Sequence, residues 1–231
     1  MPSLTVLSFI LLYLILSTFL LIYLQTLYSP NSPLLLTSFL HGFTALNFMI
    51  SVWEISLGKY LRQVQATAAT LHQRHGKSGA LEAVGALFSL PLSLEEAVTL
   101  KTWHIVWATY SLYDNSYANE ESFGFFIDVG NGWTTIVPMA VFSLGLIFGV
   151  GEANVAMWAC LCLCSFYQMM YGTLIYLLSY IYNRRHDGFG TVEVVLFVAL
   201  TNAIWVIMPL VGIGVCYQVL KTGSMEIVRG A

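Results

Sequence analysis

No charged residue occurs between Leu4 and Leu24, and comparably apolar stretches return four more times along the chain. Such a run has no polar face to turn to water, so it reads as a helix packed among apolar neighbours or lipid. The pattern predicts spans at about 3–25, 34–56, 122–148, 155–182 and 192–220. Turn-forming residues separate them: Ser29-Pro30-Asn31-Ser32-Pro33, then Gly149 to Asn154, then Asn183 to Gly188. A secretory leader would carry a basic start and a shorter apolar core. The first stretch has neither feature and is read as a span.

Residues 57–102 break the pattern. They hold Lys59, Arg62, His72, Arg74, His75, Lys77 and Lys101. The stretch from Leu81 to Leu94 has helical periodicity but is too short to cross a bilayer. An extramembrane loop with one or two amphipathic surface helices is expected here. From Trp103 to Glu121 aromatic and polar residues mix, which suits an interfacial helix capping a bundle. Span two ends near Trp53 and Glu54, read as an interfacial aromatic beside a charge.

Composition supports the membrane reading. The 231 residues are 58% apolar and 9% charged, whereas soluble domains carry about 25% charged residues. Mean hydropathy is +0.75. Five spans use so much of the chain that one polytopic domain over 1–231 is expected. A net charge of −3 without a basic tract speaks against nucleic-acid binding. Cys160, Cys162, Cys164 and Cys216 match no zinc spacing and read as buried, inert thiols. Seven of the nine Lys and Arg follow spans two and four, which by the positive-inside rule puts the N-terminus in the cytosol.

The polar minority inside the spans carries the candidate chemistry, because ionisable groups there are costly and face a partner or a cavity. Asp128 and Asn131 are i, i+3 and share a helix face, with Glu121 one heptad before Asp128 and Thr135 one after it. Gly124, Gly130 and Gly132 allow close approach beside them. The plainer alternative is a polar seam between helices. His41 lies in span two with Asn47 and Glu54 further on, and for a lone histidine in an apolar helix an interhelical hydrogen bond is the commoner role. Asn202 and Trp205 are i, i+3 in span five. Tyr171 and Tyr176 belong to an aromatic stripe on span four that is compatible with simple packing. Together they outline a polar pocket ringed by aromatics and entered from lipid. A buried carboxyl can protonate an alkene, and aromatic faces stabilise the resulting cation.

Several stretches resemble the emopamil-binding protein family, the sterol Δ8–Δ7 isomerases and their relatives that share the EXPERA domain. Trp107, Tyr110, Asp114 and Tyr117 match its W-x-x-Y-x-x-x-D-x-x-Y run. Counting on, Glu121 falls on an acidic position, Asp128 on the catalytic glutamate and Asn131 on a threonine. Tyr171-Gly172 with Tyr176, then His186-Asp187-Gly188-Phe189, resemble Y-G-x-x-x-Y and R-D-G-F. Asn202-Ala203-Ile204-Trp205 with Pro209 resembles N-A-L-W-x-x-x-P. The likeness covers about 35–220. It implies an all-α five-helix membrane bundle with a buried ligand cavity, in the endoplasmic reticulum, with the C-terminus in the cytosol, against the charge bias.

The resemblance implies catalysis by Asp128, His41 and Trp205. It implies substrate contacts from Asn131, Asn202, Glu121, Asp114, Tyr110, Tyr117, Tyr171 and Tyr176. No metal or cofactor is implied. The implied partners are the bilayer, a lipophilic small molecule and a second copy of the chain in a homodimer. Three departures stand out. The family's H-x-x-x-E motif meets His41 but then Ala45, aspartate replaces glutamate at Asp128, and Asn131 replaces threonine. The expected activity is therefore an isomerase or cyclase on a sterol or terpenoid. A specialised-metabolite cyclase and a non-enzymatic sterol-binding, sigma-type receptor are the alternatives.

Overall fold

The computed structural model describes residues Leu4–Gly230, and these are almost entirely helical. In chain order the elements are β1 (Leu4–Thr5), α1 (Val6–Tyr28), α2 (Leu34–Lys59), α3 (Leu61–His75), α4 (Ala80–Ser89), β2 (Pro91–Leu92) and α5 (Leu94–Val98). Then come α6 (His104–Tyr110), α7 (Phe123–Thr134), α8 (Ile136–Phe148), α9 (Val155–Tyr182), α10 (Thr191–Val194), α11 (Thr201–Thr222) and α12 (Glu226–Arg229). The one sheet among the described residues is the antiparallel pair β1–β2.

Four helices are long and apolar enough to cross a membrane: α1, α2, α9 and the run Thr191–Thr222. The helix pair α7–α8 makes a fifth if it counts as one span, but it bends by 44°. The span expected over 122–148 is thus present as two helices with a break between them. Pro138 is the third residue of α8. Without an N–H it cannot bond the carbonyl of Thr134, and its ring crowds that carbonyl, so the helix restarts at the break. Thr191–Thr222 is interrupted differently. Val195–Leu200 forms a π-helical turn, a wide loop of helix found often at functional positions.

Two further expectations change. Helix α2 runs on to Lys59, past the expected end of span two, and Trp53 and Glu54 are buried within it. Of the four cysteines, Cys162 and Cys216 are buried while Cys160 and Cys164 are exposed. The latter are i, i+4 on α9 and face outward together, as helical periodicity requires. The 57–102 region does form short helices α3, α4 and α5. Ser93 caps α5 in a capping box with Glu96, and those two hydrogen bonds from Ser93 hold the Glu96 carboxyl below its ordinary pKa.

The residues fall into two compact units. Unit 1 comprises Met1–Leu12, Ile50–Trp133 and Gly172–Ala203, and unit 2 comprises Tyr13–Met49, Thr134–Tyr171 and Ile204–Ala231. Unit 2 has a continuous apolar core built from Leu40, Phe43, Met139, Phe142, Trp158, Phe166 and Cys216 among others. Two glycines make it dense. Gly212 lets the Phe166 ring lie on the α11 backbone, and Gly145 admits the Trp158 indole, which donates to the Val141 carbonyl at 2.9 Å. In unit 1 the aromatic Trp53, Trp103 and Phe9 stack in file at 5.3 and 5.5 Å.

Candidate functional site

The candidate site lies in unit 1 and begins with the contact of α2 on α7. A Cβ added to Gly132 would fall 2.7 Å from the Glu54 Cβ and 3.0 Å from the Ser51 carbonyl. One added to Gly58 would fall 2.9 Å from Val129. The two backbones therefore touch, an approach that only glycine permits at these positions. Asp128 is one turn before Gly132 on the same face. Glu54 and Asp128 are consequently close enough for their charges to interact. Glu54 is 6% exposed, and Asp128 is half-buried.

Aromatic residues from α6 and the following 3₁₀ turn Asn115–Ala118 are brought to this pair. Trp107 fixes α6 by donating from Nε1 to the Trp53 carbonyl at 2.6 Å. This bond places Tyr110 and Tyr117, whose rings are 5.1 Å apart. The Tyr117 side chain is near enough to Asp128 to interact with its carboxyl. Tyr176 of α9 adds a third ring, 5.9 Å from Tyr117. From the other side of the π-helical turn, Asn202 donates to the Val198 carbonyl at 2.7 Å and approaches the Tyr110 hydroxyl at 3.5 Å. Burial pushes Tyr110 up to about 12 and raises Tyr117 well above the ordinary tyrosine range. Both phenols are neutral hydrogen-bond donors at physiological pH.

Asp114 holds this arrangement in place. Its carboxylate accepts from the Ser116 N–H at 2.9 Å, capping the 3₁₀ turn, and from Arg185 Nη1 at 2.9 Å. The Asp114 side chain is wholly buried. Arg185 follows the one non-glycine residue with positive φ among the described residues, Arg184 at 53°. That left-handed turn leaves Arg184 outside, on Asp187 at 2.9 Å, while Arg185 turns inward. Strain of this kind persists only where surrounding contacts enforce it.

The residues singled out by sequence therefore divide. Asp128, Asn131, Asn202, Tyr110, Tyr117, Tyr176 and Asp114 all belong to unit 1, with Asn131 half-buried and engaged by neighbours. Glu121 is exposed in the turn ahead of α7, so it does not share the helix face of Asp128 as the heptad spacing suggests. His41, Trp205 and Tyr171 belong to unit 2. His41 is fully buried with both ring nitrogens bonded at 3.2 Å, Nδ1 to Ser143 and Nε2 to Gln25. Trp205 is half-buried, edge-on to Phe43 at 5.2 Å. Tyr171 is exposed and stacked on Tyr167.

Two members of the site have no role assigned by the sequence alone. Glu54 follows His41 and Asn47 along α2, where Asn47, Ser51, Glu54 and Gly58 recur at helical spacing and mark a polar face. Arg185 is a loop cation whose partner, Asp114, lies far away in the chain, so spacing does not pair them. No family model matches the chain, and no curated protein or solved structure matches it either.

Proposed function

We propose that this protein is a membrane-embedded isomerase or cyclase. Its substrate is a sterol or terpenoid-like lipid, and it works by protonating an alkene, stabilising the carbocation and removing a proton. One observation carries the reading: two carboxyl groups, Glu54 and Asp128, lie on helices in close contact, near enough for their charges to interact, with the tyrosines Tyr110, Tyr117 and Tyr176 gathered around Asp128. A carboxyl in such surroundings is expensive for packing alone.

In the proposed reaction the Asp128 carboxylic acid gives its proton to one alkene carbon. The neighbouring carbon becomes the cation, and the tyrosine faces stabilise it. The Glu54 carboxylate then takes a proton from the adjacent carbon, and that C–H pair becomes the new double bond. Asn202 and Asn131 orient the substrate. The endoplasmic reticulum location and the homodimer belong to this proposal.

The experiment is conversion of a Δ8-sterol by membranes containing the full chain, compared with Asp128→Asn. Wild-type turnover with a loss of about 10²-fold or more in the variant is the expected result, the usual scale for a general acid. Equal turnover in the two would remove Asp128 from the reaction. Ligand binding with no product from any sterol or polyene would favour the sigma-type receptor instead. A specialised-metabolite cyclase is favoured by Ala45. It stands buried where the resemblance places a second acid, and its carbonyl accepts from the Tyr13 hydroxyl at 3.2 Å. A ring-closed product from a linear polyene would select that reading.

A further inference from the structure

The tyrosines of unit 1 continue past the carboxyl pair. Ring centroids step from Tyr117 to Tyr176 in 5.9 Å, from Tyr176 to Tyr180 in 6.2 Å, and from Tyr180 to His186 in 6.3 Å. Tyr176 and Tyr180 are i, i+4 on α9 and so share one face. One end of the file is the Tyr117 side chain beside Asp128. The other end reaches the surface, where the His186 side chain is 41% exposed.

Packing alone would not leave the hydroxyls as they are. Tyr176 and Tyr180 are 3% and 2% exposed, yet neither hydroxyl makes a well-formed hydrogen bond, and Tyr176 only approaches Tyr110 and Tyr117. The Ser116 hydroxyl is also buried without such a bond, 2.6 Å from where a Cβ on Gly124 would lie. Buried hydroxyls are nearly always bonded to protein or ordered water. A row of them next to a carboxyl is a place where water bridges polar groups. Each hydroxyl donates one hydrogen and accepts another, so such a row can pass a proton without any member changing its net charge.

We propose that Tyr117, Tyr176 and Tyr180, with water between them, form a proton path from bulk solvent at His186 to Asp128. In one passage the Asp128 carboxylate takes the Tyr117 hydroxyl proton, each member takes a proton from the next, and a hydronium at the surface supplies the last. The sum is a carboxylate plus a proton becoming a carboxylic acid. Arg185 and Asp114 flank the path as a neutralised pair, and Glu54 is the other acid beside its inner end. The catalytic meaning of the path rests on the proposed function, because an acid that gives its proton to an alkene must be reloaded. Its existence does not.

The test needs no substrate. The full chain, purified into lipid nanodiscs, is moved from H₂O to D₂O and followed by infrared spectroscopy at the carboxylic-acid C=O stretch. The Asp128 band is identified by its loss in Asp128→Asn. Tyr176→Phe and Tyr180→Phe keep the rings and interrupt the path at two points. Each is expected to slow deuteration of that band about tenfold or more, with Tyr182→Phe, an exposed tyrosine off the path, exchanging as wild type. Wild-type exchange in both path variants would overturn the proposal. Equal slowing in Tyr182→Phe would overturn it too, as would the absence of any band lost with Asp128. Slowed exchange in a protein that converts no sterol or polyene would keep the path and reject the isomerase.

Discussion

In unit 2 His41 is fully buried and both its nitrogens are bonded, whereas in unit 1 Tyr176 and Tyr180 are as deeply buried with hydroxyls that make no well-formed hydrogen bond. Unit 2 leaves Asn47 Oδ1 and Ser165 Oγ unbonded as well, but the buried acids among the described residues, Glu54 and Asp114, are in unit 1, as is Asp128. The same helices, α1, α2 and α9, contribute to both units. The difference is thus not one of secondary structure or overall apolarity. Unit 2 is filled by aromatic rings seated on glycines, the arrangement of a packed core. Unit 1 gathers carboxyls and hydroxyls whose hydrogen-bonding capacity is only partly used, the arrangement of a site.

The sharpest break in that comparison concerns Asp114 and Arg185. Either Asp114→Ala or Arg185→Met leaves one charge of a buried pair without its partner, at an expected cost of about 3–5 kcal/mol. Thermal unfolding in detergent, followed by tryptophan fluorescence, measures it. The double variant Asp114→Leu/Arg185→Met should recover part of that loss, and a strictly additive double variant would show that the two charges do not support each other.

Overpacking separates the units next. Gly212→Ala in unit 2 sets a methyl 2.5 Å from the Phe166 ring, and Gly132→Ala in unit 1 sets one 2.7 Å from Glu54. Each should lower stability by about 1–3 kcal/mol. Turnover per folded molecule should survive in the first and fall in the second, because only the second moves Glu54 from Asp128. Equal effects on turnover would mean the units are not functionally distinct.

The smallest effect is expected at His41. His41→Leu strands Gln25 and Ser143, which costs about 1–3 kcal/mol at most. Conversion by the folded fraction should stay within about threefold of wild type, a change of well under 1.4 kcal/mol in barrier. A larger loss in well-folded protein would return His41 to the reaction.

Much of this was readable along the chain, and the reasons differ by element. The predicted span over 155–182 coincides with α9, and those over 34–56 and 192–220 miss their helix ends by a few residues. The bend within 122–148 is not legible in hydropathy, because Pro138, lying inside an apolar run, acts on the carbonyl of Thr134 and leaves hydropathy untouched. Asp128, Tyr117 and Asn202 were visible as polar or aromatic residues in places lipid would not favour. Glu54 was visible as a polar group in span two, but its pairing with Asp128 was not, because hydropathy does not say which helix faces meet.

Taken alone, the sequence determined that this is an all-helical chain with four or five apolar helices suited to a bilayer, and it marked most of the polar residues that need an explanation. It could do so because a bilayer places a local demand on composition, residue by residue. Only the tertiary structure decided which of those residues meet. Glu54 comes near Asp128 because glycines let α2 and α7 touch, Arg185 reaches Asp114 because Arg184 takes a left-handed turn, and His41 is bonded to Gln25 and Ser143. Each of these depends on helix rotation, close approach or a break in the backbone, quantities that hydropathy does not encode.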